Sequence, residues 1–118
     1  MSRHVTGIGG LFFRADDHKA LAAWYNEHFG INDESHGWIW NQDAGPTVFS
    51  PFAQDTDYFA PNQAFMLNFR VDDLDAMLAE LQAAGIAVSH EQEMEGVGRF
   101  ARIHDPEGTP IELWQPPA

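Results

Sequence analysis

The sequence contains no cysteine, only six lysine and arginine residues among 118, and no long apolar run. Without thiols there is no disulfide, no thiolate nucleophile and no cysteine-ligated metal. Six basic residues against eighteen acidic ones leave a net charge of −12, which repels phosphate backbones and anionic lipid surfaces. Neither nucleic acid nor a membrane is therefore an expected partner. No stretch reaches the roughly 20 apolar residues of a membrane span. The opening MSRHVTGIGG lacks the apolar core of a secretory signal, so a cytoplasmic location is the expectation.

What the chain does have is an internal repeat. Residues 10–23 (GLFFRADDHKALAA) and 66–79 (MLNFRVDDLDAMLA) match at Leu11/Leu67, Phe13/Phe69, Arg14/Arg70, Asp16/Asp72, Asp17/Asp73, Ala20/Ala76 and Ala23/Ala79. A repeat of this kind exposes the construction unit. Each copy opens on an alternating strand, passes through an Asp-Asp helix start, and continues into an amphipathic helix that closes near Gly30-Ile31 or Gly85-Ile86. Strands are expected at 5–14, 36–41, 46–51, 64–71 and 86–90, and helices at 17–28 and 73–84. The Pro, Asn and Asp content of 52–63 reads as an exposed loop, and DPEG at 105–108 as the turn of a terminal hairpin. At this length and 44% hydrophobic content the expectation is one domain, 1–118. Its first module covers about 5–52, its connecting loop about 53–62 and its second module about 63–116.

These segments, FRADDHKALAAWYNEHFGI, FRVDDLDAMLAELQAAGI and the terminal HDPEGTPIELWQP, resemble the vicinal oxygen chelate superfamily of glyoxalases, bleomycin-resistance proteins and extradiol dioxygenases. The resemblance spans almost the whole chain. It implies an α+β fold in which two tandem βαβββ modules form a curved mixed sheet around a cleft, and a divalent metal in active members. Carried across residue by residue, the family's ligand positions fall on Gly10, Thr47, Met66 and Glu112. Glu112 alone matches. A glycine offers no donor and a thioether is a poor ligand for a hard or borderline cation, so no resident metal is expected.

Strand parity assigns the two faces of the sheet. Side chains alternate along a strand, which places Leu11, Phe13, Leu67, Phe69, Ala101, Ile103, Ile111 and Leu113 toward the helices. The opposite set faces the cleft: Phe12, Arg14, Asn68, Arg70, Phe100, Arg102, His104, Glu112 and Trp114, with Trp40 from the 36–41 strand. Three of the chain's six cationic side chains, Arg14, Arg70 and Arg102, fall in that set, where guanidinium groups suit carboxylate or phosphate capture. The competing reading pairs Arg14 and Arg70 with the neighbouring aspartates, and Arg102 with Glu112 across the hairpin. The repeated Asp-Asp pairs are explained by helix capping, and His4, His18, His28, His36 and His90 by surface positions.

Two functions stay open. One is a metal-free protein of the bleomycin-resistance type that binds a small anionic or polar aromatic molecule. The other is a metal-dependent isomerase or lyase of the glyoxalase type, with Glu112 and His104 as its catalytic groups. Nine Phe and four Trp are more large aromatic surface than a monomer of this length readily buries, and the resemblance implies pairing, so a homodimer is expected.

Overall fold

The computed structural model describes residues 5–118; His4 lies outside them. Helices α1 (His18–Phe29) and α2 (Leu74–Ala83) flank a short 3-10 turn at Glu34–His36, and the strands are β1 (Leu67–Arg70), β2 (Ser89–Met94), β3 (Gly98–His104) and β4 (Pro110–Gln115). Both helices start as the repeat requires. The Asp17 and Asp73 side chains accept the N–H groups of Ala20 and Ala76 at 3.1 and 3.0 Å, satisfying one of the orphan donors of each first turn. Glu107, from the turn between β3 and β4, adds a clamp on α1. Its carboxylate accepts the Asp16 and Asp17 N–H groups at 2.6 and 2.9 Å, where the partial positive charge of a helix start favours an anion.

The strands form one mixed sheet in the order β1-β4-β3-β2, with β1 parallel to β4 and the other neighbours antiparallel. Ala101, Ile103, Ile111 and Leu113 are at most 1% exposed. They form one core with Leu21 and Tyr25 of α1 and with Leu74, Leu78 and Leu81 of α2, so both helices cover one face. The hairpin register aligns Phe100 with Trp114, Arg102 with Glu112 and Ile103 with Ile111, as alternation over that segment requires. Gly98 is indispensable there: its φ is +130°, and a Cβ at this position would collide with the Gln115 carbonyl oxygen.

The first half of the chain departs from the expected plan. Residues 5–14, 36–41 and 46–51 form no strand, and the second half alone supplies the sheet. The reasons are local. Gly7, Gly9 and Gly10 weaken the first segment as a strand. Gly37 and Trp38 both adopt positive φ, at 62° and 61°, which breaks the second. Pro46 and Pro51, lacking N–H donors, bracket the third. Parity therefore fails at Leu11, 54% exposed, and Phe13, 38% exposed, while their repeat counterparts Leu67 and Phe69 do pack beside the helices. Phe69 meets Tyr25 and Phe29 edge-on, with ring centroids 6.3 and 5.3 Å away.

Candidate functional site

On the sheet face turned away from the helices lies a cleft of about 550 Å³, bounded by residues of β1, β3 and β4 and by the irregular segment 40–52. Its aromatic lining is Trp40, Phe52, Phe69, Phe100 and Trp114, and its charged lining is Asp43, Arg70, Asp72 and Glu112. Phe100 and Trp114 stack in register, with centroids 6.2 Å apart and planes within 3°. The Trp114 indole N–H donates to the Val97 carbonyl at 2.9 Å, which fixes the ring plane.

Glu112 is the polar centre. It is 7% exposed. Its Oε1 accepts from Asn68 Nδ2 at 2.8 Å, and its Oε2 accepts from the Tyr58 hydroxyl. A buried carboxylate needs such donors. Burial, then the bond to Glu112 and the carboxylate's charge, push the Tyr58 pKa above the ordinary phenol value, with the Arg102 charge opposing. Tyr58 thus stays a donor throughout the neutral range. The Arg102 guanidinium carbon lies 4.9 Å from the Tyr58 ring centroid, a cation–π contact. Arg102 is 4% exposed, and its Nε has no hydrogen-bond partner among the described residues.

The structure brings together six of the ten site residues singled out from sequence: Trp40, Asn68, Arg70, Phe100, Glu112 and Trp114 all line the cleft. Four do not. Phe12 is 93% exposed and Arg14 is also exposed, because the strand that was to carry them is not formed. Arg102 faces the correct side but is sealed under Tyr58, and His104 sits at the end of β3 outside the cleft lining. Arg70 donates to the Asp43 carbonyl at 3.0 Å rather than to a neighbouring aspartate. Asp43, Phe52 and Tyr58 were not legible as site residues. A Tyr-Phe pair inside an otherwise polar loop was the available signal for the last.

The residues present do not fit the metal that the resemblance implies. Gly10 and Met66 supply no suitable donor, and no three His, Cys, Asp or Glu side chains converge as a ligand set among the described residues.

His104 titrates against its surroundings. Although the residue is exposed, partial desolvation of its ring, followed by the nearby charges of Arg102 and His90, lowers its pKa below the ordinary imidazole value, with Asp105 opposing. Because the folded state holds the proton less tightly than the unfolded chain, stability contributed here is full above the ordinary imidazole pKa and falls as the pH drops through it. We expect His104→Gln to flatten the dependence of urea stability on pH between about 5 and 7; an unchanged slope would show that this imidazole is uncoupled from folding.

The family described as a glyoxalase-like domain matches residues 10–114. Among solved structures, TnmS3 from Streptomyces sp. CB03234, described as an antibiotic binding protein, is 25% identical, with a TM-score of 0.65 over 98% of this chain and 100% of its own. Lactoylglutathione lyase from Agrobacterium tumefaciens shares the fold at 19% identity, with a TM-score of 0.61 and 96% of each chain covered. No curated protein matches the chain. With the match spanning both the sheet and the segments that wall the cleft, the chain belongs to the glyoxalase-like domain family.

Proposed function

We propose that this protein binds a small, hydroxylated planar aromatic molecule in the cleft, with a degenerate metal site and no metal-dependent step. The observation that carries this reading is Glu112: a desolvated carboxylate, oriented by Tyr58 and Asn68, in a cleft with the stacked Phe100–Trp114 wall. Aromatic faces hold a planar ring, and a buried carboxylate selects a ligand that donates hydrogen bonds. The likeness to TnmS3, whose description names antibiotic binding, supports sequestration as the purpose. Of the two ligand classes that sequence left open, the polar aromatic one fits better, because Asp43, Asp72 and Glu112 outnumber the lone Arg70 in the lining. Quercetin is a suitable probe. Glu112→Gln should weaken its binding about tenfold in isothermal titration, the value of one charge-assisted bond reduced to a neutral one. Equal affinity for the variant would sink the assignment.

The working unit we propose is a homodimer. Ile8, Leu11, Phe12, Trp38, Ile39 and Phe49 are each more than half exposed, more apolar surface than a monomer ordinarily shows to water. The radius of gyration is 15.2 Å, against about 13.5 Å for a compact chain of this length. Sedimentation at micromolar concentration should give twice the chain mass, and Phe12→Glu combined with Phe49→Glu should shift it toward the monomer. A wild-type mass equal to one chain removes the dimer.

A further inference from the structure

A second hollow, of about 510 Å³, adjoins the cleft and shares Ser50, Phe52 and Met66 with it. Its character is different. Among the described residues, none that line it is ionisable, in a chain where one residue in five is charged; it is walled by Phe59, Pro61 and Phe65 and dotted with the neutral amides of Gln54 and Gln63. We infer that the ligand is a two-part molecule, with its hydroxylated aromatic head in the cleft and an uncharged, hydroxyl-rich appendage in this second hollow. The inference rests on the aromatic-binding reading above.

Phe52 and Met66 stand where the two parts would join. Phe52 packs against Tyr58 and Phe59, with centroids 5.7 and 5.8 Å away, so the side chain dividing the two spaces also touches the residue that holds Glu112. Met66 occupies the position at which the family would carry a metal ligand. An unbranched thioether there is soft and adaptable, which suits a surface that a ligand must cross. A sugar-like appendage would find neutral donors and acceptors in Gln54 and Gln63. A carboxylate would find no cation among the described residues that line it, and its desolvation would go uncompensated. Selection in the second hollow is thus against charge rather than for it.

The test uses three probes that differ only in the appendage: quercetin, its neutral 3-glucoside, and its anionic 3-glucuronide, each titrated calorimetrically into the full chain. The glucoside should bind at least tenfold more tightly than quercetin, and the glucuronide no more tightly than quercetin. Ala64→Phe and Ala60→Phe place bulk in the second hollow from exposed positions outside the cleft lining, and each should bring the glucoside down to the affinity of quercetin. The inference is overturned, with the aromatic-binding reading intact, if quercetin binds but the glucoside gains nothing. It is equally overturned if the glucuronide matches the glucoside, or if the advantage survives in both variants. Failure of both quercetin and the glucoside to bind overturns the inference together with the reading beneath it.

Discussion

Replacing Asp105 with alanine is expected to destabilise the fold by about 3–5 kcal/mol, the loss typical when the anchor of a buried polar network is removed. Asp105 is 4% exposed. Its Oδ2 accepts the Tyr25 hydroxyl at 2.7 Å, and its Oδ1 accepts the N–H groups of Glu107 and Thr109, both at 2.9 Å. Alanine would leave three donors without their acceptor. Burial, with Asp105 as bond partner and charge, raises the Tyr25 pKa above the ordinary phenol value, so this tyrosine remains a donor throughout the neutral range. The network also joins the two halves of the chain, because Tyr25 lies on α1 while Asp105 opens the turn whose Glu107 holds the start of that helix. Urea denaturation should show a large fall in midpoint at an unchanged slope. Asp105→Asn, which keeps an acceptor for the two backbone donors, should lose only about 1–2 kcal/mol. An alanine variant within about 1 kcal/mol of wild type would mean the turn closes without this side chain.

That network marks where sequence reading stopped. The segment DPEG announced a turn, and a turn it is, but nothing local to those four residues shows that Tyr25 and the Asp16–Asp17 backbone, some 80 to 91 positions away, would converge on it. Information of that kind lives in the tertiary arrangement. The repeat, by contrast, carried its own physics. Asp17 and Asp73 cap their helices in the same way because each stands before the same alternation of small and apolar residues. In β3 and β4 the alternation needed no outside help: the hairpin turn fixes register, and register fixes which of Ile103, Arg102, Ile111 and Glu112 face the core. The same argument misplaced Phe12 and Arg14. Alternation assigns faces only to a segment that is a strand, and strand formation depends on a hydrogen-bonding neighbour as well as on the pattern. Residues 67–70 have that neighbour in β4; residues 10–14, with three glycines at or just before their start, do not. Arg102 illustrates a third limit. Its face was legible, but the loop tyrosine that covers it was not, since a nonlocal lid leaves no periodic trace.

Trp114→Ala should damage both stability and binding, and its two effects can be separated. The indole contributes a wall of the cleft, a stacking partner for Phe100, and an N–H bond to the Val97 carbonyl that ties β4 to the turn before β3. Truncating a large, half-buried aromatic should cost about 2–4 kcal/mol of fold stability, or a fall in melting temperature of roughly 8–15 °C for a domain of this size. Quercetin affinity should drop more than tenfold, because a rigid aromatic face that anchors a ligand is where binding energy concentrates. Trp114→Phe distinguishes the contributions. It keeps the apolar wall but has no N–H, so the bond to Val97 is lost while the stack with Phe100 persists; stability should fall by about 1 kcal/mol with affinity within a few-fold of wild type. If the alanine variant, measured below its own melting transition, binds quercetin as tightly as wild type, then Trp114 is a strut of the hairpin and the ligand rests elsewhere on the cleft wall, against Trp40 and Phe52.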